Sequence, residues 1–259
     1  MVSRAAEKIG GFPASAVSLP VAGQPRAGRR LVDLASGAML DTARVTGLSC
    51  LSPEFLRVEL SAEAFRTATW VPGAKLQLRP RRGSMSLRAY TPIGWDTGQG
   101  MTELIAYTHE DGPAAQWFER VTIGETCEVF GPRRSIDLRD PAGPVVFVGD
   151  ESSVALACAL RTVTGDVSHV FEARDPVGLA DVLAGLGLTE RVAVVAKTPD
   201  RVELLRQARD AAARAPLTLV VTGDAATVHA VRRDSRRWAR TPGQVKGKAY
   251  WAQGRTGPD

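Results

Sequence analysis

The sequence predicts two units of different grammar, a small antiparallel β-barrel followed by an α/β unit built on a parallel sheet. Three observations carry this reading. From about residue 40, short runs rich in β-branched and aromatic residues alternate with Pro/Gly turns such as "VPG", "GWDTGQG" and "FGPRR". After "DPAGP" at 140–144, continuous apolar runs are each followed by a helix-like stretch, four times over. With 259 residues and 44% hydrophobic content, the chain has material for proper cores.

Taken in order, residues 1–38 are rich in Gly, Pro, Ala and Arg without periodicity and read as a partly ordered arm. Residues 39–141 hold the barrel, with strand-like runs "ARVTGLSCLSPEFLRVEL", "AKLQLRP", "SLRAYTP", "TELIAYTHE" and "ETCEVFGP". One helical interruption, "GPAAQWFERV", has Pro113 placed for its first turn. Residues 142–259 hold the α/β unit: "VVFVGD" with "SSVALACALRTV", "VSHVFEAR" with "VGLADVLAGL", "RVAVVAK" with "PDRVELLRQARDAAARA", and "LTLVVTGD" with "AATVHAVRRDSRRWAR". A basic C-terminal segment ends the chain.

Composition excludes several classes. No run approaches the roughly 18 apolar residues that span a bilayer, and the N-terminus lacks the apolar core of a secretory signal, so a cytoplasmic location is expected. Cys50, Cys127 and Cys158 are odd in number and far apart, and His109, His169 and His229 are equally scattered, so neither a disulfide framework nor a protein-bound metal is expected. The net charge of +5 is local: between Arg232 and Arg255 eight Lys or Arg face Asp234 alone. That cluster lacks a nucleic-acid motif and aromatic interleaving, which leaves an anionic small molecule, an acidic protein or a solvated helix face.

Chemistry concentrates at "SMSLRAYTPIGWD", residues 84–96. Strand alternation puts Arg88 and Tyr90 on one face and Thr91 on the other, a pairing of cation and flat ring that suits an anionic, aromatic ligand. The plainer alternative is a barrel strand with a capping tyrosine and a solvated arginine. The helix expected at Gly112 offers backbone N–H groups to a second anion, so a diphosphate could lie between it and Arg88 while Tyr90 stacks on an attached ring, as in a flavin. Two strands end alike, in "VFVGD" and "VVTGD", where open α/β sheets bind ligands. There Gly149 permits close approach, and Ser152 or Ser153 is placed to cap the next helix; a tight strand-to-helix turn explains the same residues.

The order of these motifs resembles the siderophore-interacting proteins, FAD-dependent ferric-siderophore reductases of the ferredoxin–NADP reductase superfamily. The resemblance covers roughly residues 40–255 and rests on "RAYTP", "THEDGPAAQWF", "FGPRR", "VGDESSVALA" and "AYWAQG". It implies an antiparallel Greek-key FAD-binding barrel followed by a parallel-sheet, nicotinamide-binding-like domain. By this resemblance Arg88 binds the FAD diphosphate, Tyr90 packs on the isoalloxazine, and Ala89 and Thr91 complete that contact. His109, Gly112, Pro113, Ala114, Ala115 and Trp117 frame the phosphate and adenosine side. Gly149, Asp150, Glu151, Ser152 and Ser153 form the nicotinamide-side loop, and Tyr250, Trp251 and Gly254 return towards the flavin. The chain departs from the family pattern at Pro92 and Ile93, at Ala155, and at Ala252 and Gln253.

The implied activity is reduction of a ferric siderophore to release Fe(II), with electrons from NADPH, NADH or ferredoxin passing through FAD. Lys246, Lys248 and Arg255 are the expected substrate contacts, with Arg233, Arg236 and Arg237 adding long-range attraction. A flavin reductase serving an oxygenase or ferredoxin is the first alternative, and a non-enzymatic siderophore-binding protein the second. A monomer without nucleic-acid partners is expected.

Overall fold

A computed structural model describes residues 40–80, 87–108, 113–213 and 217–254. The expected N-terminal arm, His109, Gly112 and Arg255 lie outside the described residues. Seven antiparallel strands come first: β1 (Asp41–Ser52), β2 (Phe55–Ser61), β3 (Lys75–Arg79), β4 (Arg88–Tyr90), β5 (Pro92–Asp96), β6 (Met101–Tyr107) and β7 (Thr126–Arg133). The long run 43–60 is therefore two strands, folded into a hairpin at Pro53 and Glu54.

The strand order is β4-β3-β7-β1-β2-β6-β5. The two edge strands, β4 and β5, are separated in sequence by Thr91 alone, so the edges of the sheet must meet at that residue and the sheet curls into a barrel-like form. Closure removes the exposed edges that would otherwise invite pairing with another chain. Pro92, with no N–H to give, is placed where a strand tolerates it, at the first position of β5. Alternating inward residues, among them Val45, Val58, Leu60, Leu76, Leu78 and Leu104, fill the interior, and Phe65 from a short 3-10 helix plugs it. Each such side chain contributes about 1.5–3 kcal/mol by leaving water. The helical interruption is α1 (Pro113–Phe118), shorter than the ten residues expected.

Five parallel strands follow, in the order β10-β9-β8-β11-β12: β8 (Val145–Gly149), β9 (Val167–Ala173), β10 (Val192–Ala196), β11 (Thr218–Asp224) and β12 (Gln244–Trp251). Helices α2 (Val154–Arg161), α3 (Pro176–Gly185), α4 (Val202–Ala211) and α5 (Ala225–Ser235) alternate with them as expected. The central strands β8 and β11 are buried along their whole length, which is why their sequences read as unbroken apolar runs. The basic cluster divides here: Arg232 and Arg233 are exposed in the last turn of α5, whereas Lys246 and Lys248 lie in strand β12, paired in parallel with β11 at the sheet edge.

One apolar cluster joins the two sheets. It contains Phe147 and Phe171 from the parallel sheet and the buried face of α2, and also Phe55 and Ile105 from the barrel and Ile136 and Leu138 from the connecting segment. Residues 39–259 accordingly form one compact unit, with the site described next set along this joint. Among the described residues, no helix is long and apolar enough to cross a membrane, and no group of His, Cys, Asp or Glu is arranged to hold a metal ion.

Candidate functional site

A cavity of about 260 Å³ opens between the barrel and the parallel sheet. This is just short of the roughly 300–1,000 Å³ of whole small-molecule sites, so it admits a ring system and leaves the rest of a long ligand along the surface. Its barrel wall is made by Arg88, Ala89, Tyr90 and Thr91, with Ile105 and Tyr107 from β6 behind them. Its other wall is made by Glu151, Ser152, Ala155 and the end of β12.

The barrel wall follows from the seam. Because β4 stops at Tyr90, alternation does not carry through Thr91, and all four residues of "RAYT" line the cavity rather than dividing between two faces. Arg88 is exposed and makes only one hydrogen bond, from Nη1 to the Leu87 carbonyl at 3.3 Å; among the described residues no carboxylate neutralises it. Tyr90 is held edge-on by Phe118, 5.3 Å between ring centroids, and burial raises its hydroxyl above the ordinary range despite the opposing charge of Arg88. Tyr107 stacks on Phe55 at 4.8 Å, and burial, reinforced by Glu151 and Glu54, raises its hydroxyl likewise.

The opposite wall is built around Asp150. The order of the parallel sheet reverses between β8 and β11, and the crevice at such a point is the usual ligand position. Here the crevice contains the Asp150 carboxylate. Its Oδ1 accepts from Ser152 N at 3.0 Å and Ser152 Oγ at 2.5 Å, and its Oδ2 from Asp224 N at 3.0 Å and Trp251 Nε1 at 2.8 Å. Both flanking glycines are required by this packing. A Cβ on Gly149 would lie 2.6 Å from Ser153 Cβ, and one on Gly223, whose φ is +106°, would lie 2.5 Å from Asp150 Oδ2.

Several expectations are corrected accordingly. Asp150 caps the 3-10 turn Glu151–Ser153 that leads into α2, and Ser153 occupies the N-cap position of α2 itself but makes no side-chain capping bond. Of the expected loop, Glu151 and Ser152 line the cavity, whereas Gly149, Asp150 and Ser153 are turned into the protein. Glu151 also uses Oε1 to accept from Arg174 N at 2.7 Å, which fixes the loop after β9. Pro113 opens α1, but Ala114 and Trp117 are buried in the barrel core, Trp117 against Phe118 at 4.9 Å, and neither they nor Ala115 reach the cavity.

The basic residues divide. Lys248 lines the cavity and donates from Nζ to Ser135 Oγ at 2.9 Å. Lys246 instead donates to the Arg139 carbonyl at 2.7 Å and does not reach it. Arg233 lies in the last turn of α5; because that helix starts at the C-terminal end of β11, its last turn returns towards the far end of the sheet. Neither Arg233 nor the adjacent Arg236 and Arg237 lines the cavity.

Sequence reasoning missed Lys75 and Gln77 on β3, Tyr107 on β6 and Ser135, all in the cavity lining. Lys75 could have been suspected as the cation opening the strand that pairs with β4. Ser135 had no signal, since it is brought in by the connecting segment. Lys75 and Lys248 form no ion pair among the described residues, and burial together with the charge of Lys75 lowers the pKa of Lys248. The Tyr250 hydroxyl is enclosed beside Thr91 and has no partner of good hydrogen-bonding geometry among the described residues; burial raises its pKa against the opposing effect of the nearby Thr91 hydroxyl.

These features fit a flavin. The cavity has an aromatic barrel wall, an uncompensated guanidinium for a phosphate, and an orphaned hydroxyl and two ammoniums at a polar edge. Residues 48–137 match the oxidoreductase FAD-binding domain family. The barrel half is thus similar in sequence to the FAD-binding domain of oxidoreductases, and the motif resemblance read from the sequence is supported by the fold. The siderophore interacting protein from Acinetobacter baumannii matches with a TM-score of 0.66 at 16% identity, covering 84% of this chain and 92% of that one. The siderophore-interacting protein SipS from Aeromonas hydrophila matches with a TM-score of 0.67 at 18% identity, covering 84% and 93%. A ferredoxin reductase in carbazole 1,9a-dioxygenase matches with a TM-score of 0.66 at 18% identity, covering 82% and 69%. At these identities the likeness is one of fold. No curated protein matches the chain in sequence.

Proposed function

We propose that the protein is an FAD-dependent ferric-siderophore reductase acting in the cytoplasm. The observation that carries this reading is the Lys75 and Lys248 pair, two cations without carboxylate partners in the lining of a cavity on the FAD-binding domain. Like charges kept together in this way favour an anionic ligand, and ferric catecholates and citrates are anionic. FAD, when bound, takes up two electrons and passes them on singly. The protein's part is placement. Arg88 holds a phosphate, Tyr90 and Trp251 present rings, Thr91 and Tyr250 meet a polar edge, and the two lysines hold the chelate near it. One electron converts Fe(III) to Fe(II), which hard oxygen ligands hold poorly.

Electrons come from NADPH, NADH or a reduced ferredoxin. The basic residues of the second half do not single out NADPH among these, because the arginines of α5 do not reach the cavity and the crevice between β8 and β11 already contains an anion. Anaerobic stopped-flow reduction of the purified holoprotein by each donor, followed by addition of ferric chelates with an Fe(II)-specific chromophore, tests both steps. Reoxidation accelerated by an anionic ferric chelate is expected. A reduced protein that ignores ferric chelates but reduces a ferredoxin would move the assignment to the second reading, an electron-transfer flavoprotein, which the carbazole dioxygenase reductase fold favours.

A further inference from the structure

Strand pairing alone does not orient Trp251. In the β11–β12 register, Gly223 faces Ala249 and Asp224 faces Trp251, so Tyr250 is an extra residue bulged from an edge strand. A bulge re-aims the side chains beyond it, and here Ala249, Tyr250 and Trp251 all line the cavity in succession. Two contacts then hold the indole. Its Nε1 donates to Asp150 Oδ2 at 2.8 Å, and the Lys197 ammonium lies 4.4 Å from the ring centroid.

Lys197 follows β10, is not part of the cavity lining, and lies 3.6 Å from Asp150 Oδ2 and 3.7 Å from Glu172 Oε1. Other groups already support those carboxylates. Glu172 Oε1 accepts from Thr227 Oγ1 at 2.5 Å, Asp224 pairs with Arg201 at 2.9 Å, and Asp150 has the four donors named above. The contact peculiar to Lys197 is therefore the indole face.

Resting on the flavin reading of the cavity, we propose that Lys197 is a positioning residue: with Asp150 it clamps Trp251, and so sets the aromatic wall that the parallel sheet presents to the cofactor. The ammonium restrains the ring plane and the carboxylate restrains rotation within that plane. Neither group touches the cofactor.

The test titrates apoprotein with FAD, comparing the parent with Lys197→Gln, Lys197→Arg and Trp251→Phe, and reads the dissociation constant, the fluorescence lifetime of the bound flavin and the urea midpoint. Losing the cation–ring restraint is expected to weaken FAD binding about threefold to tenfold in Lys197→Gln and to lengthen the flavin lifetime, as a nearby indole quenches less. Lys197→Arg should restore both, and Lys197→Gln should add little once Trp251 is Phe. A merely structural role would move the urea midpoint and leave affinity and lifetime of the folded protein unchanged, and that result overturns the proposal. An equally large effect of Lys197→Gln with or without the indole also overturns it. Should Lys197→Gln not fold, Asp150→Asn, which keeps shape and weakens the hold on Nε1, must lengthen the lifetime, and an unchanged lifetime overturns the clamp. A parent that binds no FAD at all sinks the flavin reading itself, a result distinct from these.

Discussion

The two walls of the cavity use their polar groups in opposite ways. On the barrel side, among the described residues, the Arg88 guanidinium has only the carbonyl of its neighbour, and the Tyr250 hydroxyl has nothing nearer to satisfy it than the adjacent Thr91. On the parallel-sheet side Asp150, 1% exposed, receives hydrogen bonds from two backbone N–H groups, a serine and an indole, with an ammonium close by. The first wall is left open for a ligand, and the second is satisfied from within. Loss of the exposed Arg88 cation should therefore cost mainly binding, and complete loss of the buried Asp150 carboxylate should cost mainly folding.

The largest effect is expected from Asp150→Ala. It leaves buried donors unsatisfied and Lys197 with Glu172 alone, which should lower stability by about 3–5 kcal/mol, read as a lower urea midpoint. A near-parental midpoint would break the contrast.

Acid should separate the two regions as well. His169 on β9 is buried, neither ring nitrogen has a partner, and burial together with Arg161 and Arg191 lowers its pKa to about 4 from 6.5. Between those values the unfolded chain binds a proton that the folded protein refuses. Stability therefore falls as pH drops from 6.5 to 4 and the loss is complete below 4, amounting to about 3 kcal/mol. Replacing His169 with Phe should flatten that part of the profile, and hydrogen exchange should report loosening of β8 to β10 before the barrel strands.

On the barrel side, Arg88→Ala removes a charge-assisted contact of about 1.5–3 kcal/mol, so FAD affinity should fall more than about tenfold with little change in the urea midpoint. Equal affinity in the variant would remove Arg88 from the flavin site. The smallest effect is expected from Lys75→Glu with Lys248→Glu. KM for an anionic ferric chelate should rise while a neutral ferric hydroxamate responds far less, and added salt should shrink the difference because the Debye length is about 8 Å at physiological ionic strength. Identical behaviour with both chelates would place substrate recognition elsewhere.

Much of this was legible from local pattern. The turn-separated strands, the four strand–helix alternations and the Arg88–Thr91 cluster each depend on neighbours in sequence, where periodicity and Pro/Gly punctuation act directly. Motif order grouped Trp251 with the Arg88–Thr91 cluster, and both line one cavity. What local pattern misjudged were residues whose surroundings come from distant strands. Trp117 looked like a cofactor residue and is core, because α1 is only six residues long and turns its aromatic face into the barrel. Lys246 and Lys248 are alike and only two positions apart, yet one ties down the Arg139 carbonyl and the other lines the cavity.

By itself the sequence determined which segments become strands and helices, the change from antiparallel to parallel grammar, and the position of the phosphate-seeking arginine beside its tyrosine. These depend on side-chain period and backbone preference within a few residues. Only the tertiary structure decided that the barrel closes at Thr91, that the basic segment supplies the fifth parallel strand, and that Asp150 faces inward to gather donors from Ser152, Asp224 and Trp251. The reason is physical: a buried carboxylate takes whichever donors the fold delivers, and two of those donors, Asp224 and Trp251, come from positions 74 and 101 residues away along the chain.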